Sequence, residues 1–199
     1  MKKSVILLLL LFVSFFVFAV EEHLSINYSP VFSSIKMTVE GTTTTSTATT
    51  SLLELSGATY WGHSGIVYKF RIGREVKSNG EKVNNSDLGF NQAFGYSYIT
   101  DINENLDLVA EALLLYIHDK TTGYISNKYY SIDMYLLEFH GAVQLKYYIS
   151  PVTTLNLGVD LGMPVYCKAK GGGVYKGETL SPKISGTRFS PFIGIGVKL

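Results

Sequence analysis

The chain has 199 residues, a formal charge of +1 and a single cysteine. So small a net charge gives no overall attraction to nucleic acid, and one cysteine excludes an internal disulfide framework. With 19 Gly, 14 Tyr and 11 Phe against 5 Pro, and apolar residues at every second position through most of its length, the composition is that of an all-β protein.

In chain order, Lys2 and Lys3 precede an apolar run from Val5 to Phe18 that ends at the small residue Ala19. That order is the signature of a secretory signal peptide, with Val17 and Ala19 ahead of the cleavage point. Residues 1–19 are therefore expected to be removed, leaving 20–199 as one domain of charge −1 once Lys2 and Lys3 are gone. A membrane-spanning helix would need about 20 apolar residues, and this run is broken at Glu21 and Glu22. The absence of a cysteine after it argues against a lipid anchor.

Leu24, Ile26, Tyr28 and Phe32 then share one face of a first strand, with Ser25, Asn27 and Ser29 on the other. The low-complexity stretch "EGTTTTSTATTS" reads as a mobile loop. Leu52 to Tyr60 alternates less cleanly and stops at "WGHSG", a tight turn that would hold His63. Ile66, Tyr68, Phe70 and Ile72 oppose Val67, Lys69 and Arg71 on the next strand, and "REVKSNGEKVNNSD" reads as a long polar loop. From Leu88 to Ile99, Phe90, Phe94, Tyr96 and Tyr98 oppose a row of small residues.

After the turn "TDINEN", Leu106, Leu108, Ala110, Ala112, Leu114 and Tyr116 alternate with Asp107, Val109, Glu111 and Leu113. Ala, Leu and Glu would also suit a helix here, but the spacing of Asp107 and Glu111 and the preceding turn favour a strand. "HDKTTGYISNK" reads as another loop, followed by a strand with Tyr135, Leu137, Phe139, Val143, Leu145 and Tyr147 on one face and Glu138, His140, Gln144 and Lys146 on the other. Past "SPVTT", Leu155, Leu157, Val159, Leu161 and Met163 alternate with Asn156, Gly158, Asp160 and Gly162. A long loop from Lys168 to Arg188 leads to the last strand, where Ile193, Ile195, Val197 and Leu199 alternate with Gly194, Gly196 and Lys198.

The result is eight strands whose connectors alternate between long and short, the layout of an outer-membrane barrel with long external loops and short periplasmic turns. A sheet can cross hydrocarbon only if it closes, so the last strand is expected to pair with the first and Leu199 to be a ladder residue. On these features the chain resembles the small eight-stranded outer-membrane β-barrel proteins of the OmpX, OmpW and OmpA-membrane-domain type, including the small barrels of spirochetes. The resemblance implies an eight-stranded antiparallel up-and-down transmembrane β-barrel in the bacterial outer membrane, with outer-membrane lipid around it and the barrel-assembly machinery as its partner in biogenesis. In that group the final strand ends in an aromatic residue; Ile193, Ile195 and Val197 keep the alternation and Leu199 departs from it.

Eight strands enclose a lumen that side chains can fill. With the apolar face on lipid, Lys69, Arg71 and Lys146 would face Asp107, Glu111, Glu138 and Asp160 inside, with Lys198 at the periplasmic rim. Unpaired charges there would be costly, so they are expected to form a plug of ion pairs, with Lys69 or Arg71 reaching to Glu111 and Glu138. Alternation alone does not tell inside from outside; a soluble periplasmic lipocalin-like carrier would carry the same pattern inverted. The clustered Tyr96, Tyr98, Tyr147 and Tyr148 and the loop asymmetry favour the membrane version.

None of the four His residues stands at metal-ligand spacing, Cys167 has no His or Asp beside it, and no metal or other cofactor is expected. A lipid A acyltransferase barrel would set His, Asp and Ser on external loops, and His118, Asp119 and Ser126 are the nearest set; but "EEHLSINYSP" enters as a strand where such an enzyme begins with an amphipathic helix, so no enzyme is expected. In the last loop Lys168, Lys170, Lys176, Lys183 and Arg188 face one acid, Glu178. That balance would attract an anionic host or envelope glycan, or lipid headgroups. The readings are then a monomeric structural or adhesive surface protein, an OmpW-like narrow conduit for small apolar molecules using Val67, Val109, Leu113 and Leu115, and the soluble carrier.

Overall fold

The computed structural model describes residues 21–39, 41–83, 88–125, 128–173 and 176–199, so the expected signal peptide at 1–19 lies outside the described residues. Eight long strands form one antiparallel ring: β1 (Glu21–Val39), β2 (Thr42–Trp61), β3 (Ser64–Ser78), β5 (Leu88–Asn103), β6 (Leu106–Ile125), β7 (Lys128–Tyr148), β8 (Thr153–Gly173) and β10 (Lys183–Lys198). The two-residue strands β4 (Glu81–Lys82) and β9 (Thr179–Leu180) flank it, paired to β3 and β8. The expected eight-stranded barrel is thus the observed architecture, and "LDLVAEALLLY" is strand.

Closure is made by β1 and β10, with Leu24 opposite Val197 and Ile26 opposite Ile195. The Leu199 N–H donates to the Glu22 carbonyl at 2.8 Å, which continues this seam to the last residue. Around the ring, alternation settles which face is which. Leu24, Ile26, Leu53, Leu55, Phe94, Leu114, Phe139, Leu157, Leu161 and Ile195 are exposed on the outside, while Lys69, Arg71, Glu111, Glu138 and Asp160 are buried within. No outward position between Leu24 and Phe32, Ile66 and Ile72, Leu106 and Tyr116 or Leu155 and Met163 carries a charge. An uncharged apolar belt facing out and charge facing in is the arrangement for lipid, and it inverts the soluble carrier.

At the end where β1 begins and β10 finishes, the connectors are tight. Gly62, with φ of 66°, turns the chain between Trp61 and Ser64, which remain a ladder pair. The Ser150 hydroxyl accepts the Thr153 N–H at 3.0 Å between β7 and β8.

The opposite end departs from the sequence reading. The Thr-rich stretch is not a loop: Thr43 to Thr49 pair in register with Thr38 to Phe32 as the outer half of a β1–β2 ribbon. Most of "HDKTTGYISNK" likewise extends β6 and β7, with Asp133 opposite Lys120. Lys168 and Lys170 belong to β8, and Lys183 and Arg188 to β10. The physical reason is that a ladder already begun in the wall extends cheaply, and β-branched Thr favours extension. Inside "REVKSNGEKVNNSD" the pair Asn79–Gly80, with φ of 48° and 85°, makes a two-residue hairpin between Ser78 and Glu81. A strand of 9–11 residues crosses the bilayer, so strands of 19 to 21 residues carry the ribbons well beyond it as a crown.

Candidate functional site

The inward positions of β2, β3, β6, β7, β8 and β10 meet in the lumen and form one continuous chain of polar contacts. Gln144 donates to Glu111 at 3.3 Å. Glu111 pairs with Lys69 at 2.6 Å, and Lys69 reaches Glu54 at 3.4 Å. The Arg71 guanidinium donates through Nε to Glu54 at 2.7 Å and through its terminal nitrogen to Asp160. Asp160 meets His140 Nδ1 at 2.6 Å, and His140 Nε2 meets Glu138 at 3.0 Å. Arg188 closes the chain on Glu138 at 2.7 Å.

Its charges nearly cancel. Glu54, Glu111, Glu138 and Asp160 are set against Lys69, Arg71 and Arg188, and the imidazole of His140 lies between two carboxylates. Both ring nitrogens face acceptors, so two ionised carboxylates are satisfied together only when the ring carries both protons. Gly162 lies opposite His140 on β8, and a Cβ there would collide with the imidazole ring. The glycine is what lets the ring lie flat across the strand.

A second group lies toward the end where β1 begins and β10 finishes. Lys146 reaches His23 at 2.9 Å and stands over the Tyr60 ring, and His23 contacts Glu21. Lys198 pairs with Glu21 at 2.7 Å at the rim. Asp107 lies opposite Lys146 in the ladder but forms no ion pair among the described residues; it accepts from the Tyr148 hydroxyl at 2.7 Å. Beside this group Val67, Val109, Leu113 and Leu115, each at most 2 % exposed, pack with Tyr60 and Ala93 into an apolar core. Cys167 is buried opposite Leu136.

Several expected residues thus stand in one network: Lys69, Arg71, Glu111, Glu138 and Asp160. Glu111 and Glu138 are not at one height, since Glu111 is opposite Ala142 and Glu138 is served by Arg188 and His140 instead of Lys69 or Arg71. Arg188 is a correction to the sequence reading, which put it in the basic external loop. It faces into the lumen because it lies one residue from the outward Phe189 in a continuous strand. Glu54 was missed altogether; its signal was the outward pair Leu53 and Leu55 on either side of it. His23, Asn27 and Asn156 also line the lumen, with Asn27 donating to Glu54 at 3.0 Å.

His140 is bracketed by carboxylates on opposite sides, so they share no point for an ion, and among the described residues no group of three potential ligands converges. His118 lies in stacked contact with Tyr135 and 3.6 Å from Asp133; the Asp119 side chain and Ser126 lie outside the described residues. In the crown Lys168 pairs across from Tyr135, Lys170 stands 5.5 Å over the Tyr135 ring, and Lys176 sits in the turn before β9.

No family model and no curated protein matches the chain. Solved structures do. Neisserial surface protein A superposes with a TM-score of 0.56 at 10% identity, over 89% of this chain and 97% of its own. The outer membrane protease OmpT from Escherichia coli gives 0.46 at 8% identity, over 90% and 96%. Ail of Yersinia pestis, in complex with the heparin analogue sucrose octasulfate, gives 0.45 at 14% identity, over 90% and 98%. The first likeness, with the belt and ring described above, shows the fold of the small outer-membrane β-barrel proteins.

Proposed function

We propose that the protein is a plugged outer-membrane barrel, exported by residues 1–19, that holds a basic β-ribbon crown at the cell surface for contact with an anionic host or envelope glycan. The observation that carries this reading is the unbroken polar chain from Gln144 to Arg188, which fills the lumen with paired charges and leaves the crown as the accessible part. Lys168, Lys170, Lys176 and Lys183 supply the crown's positive charge, with Arg188 withdrawn into the lumen. Within the wall the ring is closed and leaves no free edge to pair with another chain, which supports a monomer. For the barrel-assembly machinery, the alternation of Ile193, Ile195 and Val197 supports recognition, while Leu199 stands where the small barrels it resembles carry an aromatic residue. The apolar side chains that a conduit would need are packed against one another, which weighs against that role.

The test has two arms on the refolded protein. In a planar bilayer it should give no stable conductance, and a steady open channel would remove the plugged reading. On immobilised heparin it should be retained in a salt-dependent way, and replacing Lys168, Lys170, Lys176 and Lys183 by Gln should shorten retention. Retention unchanged by the four substitutions would remove the glycan partner while leaving the barrel in place.

A further inference from the structure

A second surface feature lies outside the lumen, where the belt gives way to the crown on β10, β1, β2 and β3. Directly opposite residues share a face, so the register sorts this surface into rows. Ile193, Tyr28, Leu53 and Ile72 form one row, all apolar or aromatic. Further out, Phe189, Phe32, Thr49 and Lys77 form another. Beyond it come Thr187, Ser34 and Thr47. From Tyr28 to Ser34 the outer face passes from apolar side chains to an aromatic pair and a cation, then to hydroxyls.

These outer rows line an open cavity of about 410 Å³. It is a built groove. Phe32 and Phe189 stack with centroids 6.4 Å apart at its inner end. Where Thr49 faces Lys77 and Thr50 faces Glu75, Val76 is an extra residue on β3 that bends this strand against β2. The Asn79–Gly80 turn is clamped over the far side, with the Asn79 N–H donating to the Thr47 carbonyl at 2.7 Å and the Asn79 side chain accepting the Thr47 N–H at 2.9 Å. Among the described residues no acidic side chain lines the groove and Lys77 makes no ion pair.

We propose that this groove seats the headgroup of a phosphate-bearing lipid of the surrounding leaflet, with its chain along Phe32 and Phe189 and its phosphate at Lys77 among the Ser34, Thr47, Thr49 and Thr187 hydroxyls. Charge complementarity and continuity with the apolar belt select this occupant: the aromatic end continues the exposed face of the belt, and the polar end offers donors just beyond it. The proposal rests on the membrane reading of the outer face and is independent of the glycan partner.

The experiment refolds the protein into phosphatidylcholine vesicles containing one part in ten of phosphatidic acid, releases it in mild detergent and counts retained lipid by native mass spectrometry. Phosphatidic acid should be retained above its share of the vesicle, and Lys77→Gln should lower that excess by roughly fivefold, the worth of one lysine beside an anionic lipid. Thr49→Val with Thr187→Val should lower it further, while Lys183→Gln, a crown lysine outside the groove, should leave it unchanged. Retention in proportion to vesicle composition, an excess indifferent to Lys77→Gln, or an equal loss with Lys183→Gln would overturn the groove. Failure of the parent protein to enter the vesicles at all would instead overturn the membrane reading.

Discussion

The wall and the crown are made of the same strands, and they are held for different reasons. In the wall, between Leu24 and Phe32 or Leu155 and Met163, backbone pairing is compulsory because hydrocarbon offers no other partner, and side chains are sorted strictly by face. In the crown, between Ser33 and Val39 or Thr42 and Thr49, water could satisfy the backbone, and the same ladder persists through β-branched side chains and continuity with the wall. Strand geometry is therefore common to both, while the tolerance for substitution is not.

The sharpest break of this contrast lies in the lumen. Arg71→Leu would leave Glu54 and Asp160 without their shared cation, and losing one partner of a buried pair costs about 3–5 kcal/mol. Urea unfolding in detergent, and loss of the folded band in unboiled gel samples, should show it; an unchanged midpoint would mean that the network contributes nothing to stability. Next comes a paired comparison of the outer surfaces. Leu157→Arg, in the belt, should cost about 2–4 kcal/mol, whereas Thr45→Arg in the crown should stay within about 0.5 kcal/mol. Equal costs would deny that the belt faces lipid.

A smaller effect is expected at Gly162. Ala there would push the His140 ring off Asp160 and Glu138, at about 1–3 kcal/mol, and the imidazole resonances of His140 should shift in NMR spectra. Unshifted resonances would show that the ring does not depend on the glycine.

The legibility of the two regions differed in the same way. The wall was readable because a period of two, sustained by residues such as Ile66 to Ile72, has only one structural meaning, and alternate polar residues had to share a side. The crown was misread because polar, Thr-rich and Gly-rich composition resembles a loop when each segment is considered alone. Asn79–Gly80 was the local signal available there, and it marks the hairpin that walls the groove. Glu54 was hidden because the inward Leu52 beside the outward Leu53 breaks the alternation around it, and small residues follow Leu55.

By itself the sequence determined strand number, order and the partition of side chains between two faces, since those follow from local periodicity along each strand. Which face meets lipid, which carboxylate meets which cation, and that Arg188 turns inward to Glu138 were decided only in the tertiary structure. They depend on ring closure and on the register between strands distant in sequence, such as Arg71 on β3 against Asp160 on β8, and no local pattern encodes that stagger.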